Sequence, residues 1–219
     1  MKVIVGIATT DERTSQLKKT INSLYNQVDK ICVYNNSKNK IDYTDNGKFY
    51  ILKQYTEPIY YFSCDDDIIY PSNYIKHTIE QIEKYKCIVT YHGRILQGLD
   101  LNYYRGHKVF NCKYTTLKDE RIDVCGTGVT AFRTDYFNPI EIYKSEYKRM
   151  SDLVFSLEAI NQGKNIMQLK HNQNWLIVQP IPMNKTIAGT SYNNCKQQNE
   201  LANQIYSHPL RNLHNPRLV

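Results

Sequence analysis

Apolar residues come in short blocks along this chain, and the blocks change period. Val3-Ile4-Val5-Gly6-Ile7-Ala8 is a continuous apolar run that stops at Thr9-Thr10, the form of a strand buried on both faces. Leu17, Ile21, Leu24 and Val28 then recur on one face of a helix of about four turns that starts near Thr14 or Ser15. Lys30-Ile31-Cys32-Val33-Tyr34 returns to strand and ends in Asn35-Asn36-Ser37. This β-α-β unit has polar residues at the ends of both strands, where open α/β sheets bind ligands.

After a polar loop from Lys38 to Lys48, the run Phe49-Tyr50-Ile51-Leu52 reads as a third strand, with Tyr60 to Cys64 as the next. From Ser72 to Lys86, Tyr74, Ile75, Ile79, Ile82 and Tyr85 share a helical face, and Cys87 to Tyr91 is again strand. The stretch from His92 to Arg121 is polar, aromatic and without period, which marks a functional loop or hairpin region. A strand from Ile122 to Arg133 is broken by Gly126 and Gly128, the sign of a bulge, a bend or a place where a ligand meets the backbone. Ser151-Asp152 opens a short amphipathic helix through Leu153, Val154, Leu157 and Ile160 that closes at Gly163. Ile166 to Leu169 reads as strand and Asn194 to Tyr206 as a last helix. The pattern predicts one α/β domain over residues 1–207 and an irregular tail over 208–219, suited to link to further domains.

The aromatic strand Tyr60-Tyr61-Phe62-Ser63-Cys64 ends in Asp65-Asp66-Asp67, and Pro71 begins the next helix. Three adjacent carboxylates repel one another, so their place at the end of a core strand points to a bound cation. The alternative is an acidic turn in which Asp67 or Ser72 caps the helix.

Composition narrows the classes. With 219 residues, 41% of them hydrophobic, the chain describes an ordinary globular protein. Its net charge of +7 is scattered without basic blocks, which suits an anionic substrate or an acidic membrane face better than a nucleic-acid tail. Six cysteines without C-x-x-C spacing read as buried free thiols of a reducing compartment. Met1 to Ala8 is too short to span a membrane, so the expectation is a cytoplasmic monomer, soluble or peripheral to the membrane face. Asn35-Asn36-Ser37 and Asn184-Lys185-Thr186 fit the glycosylation acceptor pattern, which carries no information without export. Neither G-x-G-x-x-G nor G-x-x-x-x-G-K-[ST] occurs, which argues against dinucleotide oxidoreductases and P-loop kinases.

In this order, three features resemble the nucleotide-sugar glycosyltransferases of the GT-A fold, in particular the short family-2-like enzymes of surface polysaccharide and glycoprotein assembly, bacterial and large-virus examples included. The first is Asp65-Asp66-Asp67 with Pro71 and its helix, which looks like the family's D-x-D signature; the second is the start from Val5 to Ser37; the third is Ser151-Asp152 with its helix and Gly163. The resemblance implies a Rossmann-like mixed central sheet with helices on both faces. It also implies transfer of a hexose from a nucleoside diphosphate sugar, most often a UDP-sugar, to a glycan or glycoprotein hydroxyl by inverting single displacement.

Residue by residue, the resemblance makes Asp152 the catalytic base and Asp67 the direct ligand of Mn2+ or Mg2+. Asp65 shares the metal or bonds the ribose or donor sugar, with Asp66 a secondary contact. Thr9, Asn35 and Asn36 frame the base, Gly126 and Gly128 admit a sugar to the backbone, and His171 is a further metal or pyrophosphate contact. Arg94 and Lys48 are phosphate-contact candidates. Asn35-Asn36 stands where the family usually has Asp, and Ser151 where it has an acid. A nonenzymatic sugar-nucleotide or carbohydrate binding module and a nucleotidyltransferase are the alternatives, although the G-x-G-[ST]-R-[LM] loop of the latter is missing. A nucleic-acid binder leaves the three carboxylates without a reason.

Overall fold

The computed structural model describes residues 1–139, 141–181 and 195–213. Asn184 to Thr186, the expected helix start at Asn194 and the last residues of the tail, 214–219, lie outside the described residues.

The first half alternates as its pattern requires. Strand β1 (Val3–Thr9) leads into helix α1 (Thr14–Leu24), β2 (Lys30–Asn35), β3 (Tyr60–Asp65), the two-residue β4 (Ile68–Ile69), α2 (Tyr74–Tyr85) and β5 (Ile88–Thr90). The region read as irregular holds the short strands β6 (Gly93–Ile95), β7 (Lys108–Phe110) and β8 (Glu120–Ile122). Then follow β9 (Val124–Cys125), β10 (Val129–Arg133), α3 (Ser151–Asn161), β11 (Ile166–Gln168), β12 (Ile177–Val178) and the helix Lys196–Ser207.

One mixed seven-stranded sheet runs in the order β2-β1-β3-β10-β5-β11-β8. Strands β1, β2 and β3 are parallel, and β10 lies antiparallel between β3 and β5. Alternation along each strand sends side chains to opposite faces. Val5, Ile7, Phe62 and Ala131 pack with Leu24 of α1 and Tyr74, Ile75 and Ile82 of α2. Ile4, Tyr61 and Phe132 pack on the other face with Phe49, Leu52, Phe155 and Ala159. The expected α/β class, a mixed sheet with helices on both faces, is thus observed.

Two elements differ from expectation. Phe49 to Leu52 is not a strand but part of a 3-10 segment, Thr44–Gln54. A 3-10 turn brings residues three apart onto one side, which buries Phe49 and Leu52 together in the second cluster. In the tail, Pro209–Leu213 is helical rather than irregular. Arg211 anchors it, with Nε donating to Asp123 Oδ1 at 2.8 Å and Nη2 to the Leu96 carbonyl at 2.8 Å.

The six cysteines are free, and all but Cys32 are buried, as read from their apolar surroundings. No described helix is long and apolar enough to cross a membrane.

Phe155 is closed in by the rings of Phe137, Phe49 and Phe132 at 5.0, 5.4 and 5.6 Å. Phe155→Ala should therefore cost about 3–5 kcal/mol in urea unfolding. The exposed Ile177→Ala should cost under about 0.5 kcal/mol in the same experiment.

Candidate active site

The carboxyl ends of β1 and β3 lie side by side, because Ala8 pairs with Asp65 in the parallel register. The chain turns at Asp66-Asp67, and the three carboxylates meet three different environments.

Asp65 keeps its side chain half-exposed and is bonded through Oδ1 to the ammonium of Lys48. Lys48 is only 3% exposed. Burial alone would push this ammonium down, but the carboxylates of Asp65, Asp45 and Asp152 outweigh it and hold the group above the usual lysine range.

Asp66 turns inward. Its Oδ2 accepts from the Thr9 hydroxyl at 2.6 Å and its Oδ1 from Arg13 Nη1 at 2.8 Å. Burial nevertheless leaves its pKa raised, with Thr9 and Arg13 opposing.

Asp67 has the weakest compensation, Arg13 Nη1 at 3.7 Å. Burial first, then the neighbouring charges of Asp65 and Asp66, push its pKa up to about 7.

Asp152 reaches the same region from the first turn of α3. Its Oδ1 accepts from both the backbone N–H and the hydroxyl of Thr127, each at 2.7 Å, which leaves Oδ2 without a donor among the described residues. Burial raises its pKa against those two hydrogen bonds. Asp65, Lys48, Thr127 and Asp152 line one cavity of about 250 Å³, together with His92 and Arg94. His92 was not singled out by the sequence. Burial pushes its pKa down to about 4, so its imidazole is neutral near pH 7, and its Nδ1 accepts the Cys112 N–H at 3.4 Å.

Other expected residues hold the site's framework. Thr9, expected at the base, spends its hydroxyl on Asp66. Asn36 donates to the Thr44 carbonyl at 2.9 Å and accepts from the Tyr43 N–H at 3.0 Å, so its amide closes the loop after β2. Asn35 stays nearer the surface, bonded to Asp11 Oδ1 at 2.8 Å and to the Ser37 N–H at 2.9 Å. Asp66, expected as a donor contact, has both oxygens engaged within the protein.

The two glycines make room for side chains of the site. A Cβ at Gly126 would come within 2.7 Å of the His92 ring, and one at Gly128 would overlap the Asp65 carboxylate. Gly126 therefore backs His92.

His171, expected near the metal, is buried against Tyr91, with the two rings 5.6 Å apart, and its Nδ1 pairs with the Leu169 carbonyl at 3.0 Å. Among the described residues no group of three His, Cys, Asp or Glu side chains is arranged to hold a metal ion. Asp67 and the second oxygen of Asp65 are the oxygens of the turn that could hold a hard divalent cation, completed by oxygens of water or ligand. Like-charge repulsion at Asp67 is what such a cation would relieve.

No protein-family model matches the chain. No curated protein matches its sequence. Among solved structures, the chain is similar to A197 from STIV, at 13% identity and a TM-score of 0.43, over 83% of this chain and 96% of that one. It is also similar to the inositol-1-phosphate CTP transferase from T. maritima, at 12% identity and a TM-score of 0.37, over 94% of this chain and 78% of that one. Likenesses this slight carry no functional conclusion.

The raised Asp67 pKa makes stability depend on pH. In metal-free protein the folded state holds the Asp67 proton up to about pH 7, while the unfolded chain releases it near its ordinary value of 3.8. Stability from this group is therefore full below about pH 4 and is lost progressively as pH rises from there to about 7. Asp67→Asn should gain about 1–3 kcal/mol over wild type above pH 7 and nothing below about pH 4, read from urea unfolding across pH. Gly128→Ala should displace the Asp65 carboxylate and cost about 1–3 kcal/mol by the same method.

Proposed function

We propose that the chain is a glycosyltransferase that moves a hexosyl group from a nucleoside diphosphate sugar, a UDP-sugar first, to a hydroxyl of a glycan or glycoprotein acceptor. The observation that carries this reading is that one cavity joins Asp65, from the D-x-D-like turn, to Asp152, a carboxylate with one oxygen held and the other open.

A base must meet the acceptor hydroxyl directly and must favour taking its proton. Thr127 fixes the Asp152 carboxylate through Oδ1, and burial raises its basicity. The acceptor oxygen bonds to the anomeric carbon as its proton passes to Asp152 Oδ2. The bond from that carbon to the diphosphate oxygen breaks, and its electron pair leaves with the diphosphate. A single displacement inverts the anomeric centre.

Lys48 supplies fixed positive charge beside Asp65, where negative charge grows on the leaving group. A Mg2+ or Mn2+ ion on Asp65 and Asp67 would supply further charge neutralisation to the diphosphate. His92, neutral in the same cavity, adds no competing charge.

Calorimetric titration of UDP and of UDP-, GDP- and dTDP-sugars, with and without Mn2+, tests the reading. One nucleotide class should bind in a metal-dependent way, and Asp67→Ala should abolish that dependence. Asp152→Asn should keep UDP affinity within about threefold while lowering nucleotide release from the donor by about 100-fold or more. Binding without turnover in wild type would point instead to a sugar-nucleotide binding module, and no binding at all would remove the donor site.

A further inference from the structure

Resting on that reading, we infer that Arg94 and Arg149 form an oxyanion subsite beside Asp152, so that the acceptor carries a carboxylate or phosphate group. The cavity is lined by three carboxylates, Asp45, Asp65 and Asp152, and by three cations, Lys48, Arg94 and Arg149. The carboxylates are already engaged. Asp65 is bonded to Lys48, Asp45 accepts from the Ser151 N–H at 2.9 Å and the Thr44 hydroxyl at 3.0 Å, and Asp152 accepts twice from Thr127. Neither arginine forms an ion pair with an acid among the described residues.

Arg94 is held ready without being neutralised. Its Nη1 donates to the Tyr103 carbonyl at 3.0 Å, and its guanidinium lies 4.4 Å from the Tyr103 ring and 5.8 Å from that of Tyr104. Stacking fixes the plane of the fork and leaves its remaining N–H donors for a planar or tetrahedral oxyanion.

Arg149 reaches the cavity by a strained route. Its φ of 59° is left-handed, a conformation that costs a non-glycine residue about 1 kcal/mol, and its N–H is held by the Thr44 hydroxyl at 3.1 Å. Three residues later comes Asp152, so this arginine lies on the segment that delivers the base. That position assigns the pair to the molecule being deprotonated. The other source of an oxyanion, the donor's diphosphate, is separated from it by the experiment.

Saturation-transfer NMR on the full chain, with UDP and Mn2+ present in excess, would compare glucuronic acid and glucose 6-phosphate with glucose. UDP then fills the donor site, and the acidic sugars report the remaining cavity. Wild type should bind both acidic sugars at least about tenfold tighter than glucose; Arg94→Gln and Arg149→Gln should each reduce that preference by about tenfold, with UDP affinity within about twofold of wild type. Equal binding of acidic and neutral sugars, or an unchanged preference in both variants, would overturn the subsite. So would variants that lose UDP affinity and keep the preference, since the arginines would then serve the donor diphosphate. If wild type fails to bind UDP under any condition, the transferase reading fails, and titration of the free protein with the same sugars still decides whether the arginine pair selects an oxyanion.

Discussion

A lysine ammonium taken out of water must be compensated, and Lys48 is the point at which this fold meets that demand. An unpaired buried charge costs several kcal/mol, roughly the margin by which a domain is stable at all. The compensation comes from distant parts of the chain: Asp65 at the end of β3, Asp45 in the 3-10 segment and Asp152 in α3. The backbone is fitted to the same point. The Lys48 carbonyl accepts from the Tyr61 hydroxyl, and the missing side chain of Gly6 leaves space for both groups. Strand, loop and helix are thereby brought to one place, and the cavity that joins Asp65 to Asp152 forms there.

From the sequence, the acidic turn carried the expectation of a bound metal cation, and Lys48 that of a phosphate contact. What the sequence did not show is that Lys48 and Arg13 pair with these carboxylates, leaving Asp67 as the carboxylate with the least compensation. The elements around the turn were legible because their signals are local. A run such as Val3 to Ala8 and a helical face such as Tyr74, Ile75 and Ile82 each declare their period within a few residues. Phe49 to Leu52 did not, since four adjacent apolar residues suit a strand and a buried 3-10 turn equally well.

The site's supporting contacts were illegible for a different reason. They depend on strand order. Only with β10 antiparallel to β3 does Gly128 come under the Asp65 carboxylate and Thr127 arrive in front of Asp152. Two glycines in a strand signalled a close approach to the backbone, and the approaching groups are side chains of the protein itself. Likewise, the placement of His171 against Tyr91 follows from the bridge between Thr116 and His171, which the sequence does not display.

At Asp152, strain and support are matched. Helix α3 has no side-chain cap of its own at Met150. The Ser151 N–H is taken instead by Asp45 Oδ2, from the segment that also carries Lys48. Asn46 Nδ2 donates to the Tyr147 carbonyl at 3.0 Å, and Thr44, itself left-handed at φ 53°, accepts the N–H of left-handed Arg149. Each hydrogen bond contributes about 1 kcal/mol, enough together to offset two left-handed residues. The base role proposed for Asp152 requires a carboxylate held within hydrogen-bond reach of a proton, and a helix start free to shift would lose that reach. Because the same short segment holds both Lys48 and the start of α3, the fixed cation and the Asp152 carboxylate share one support, and the distance between them is set by the packing of those two segments.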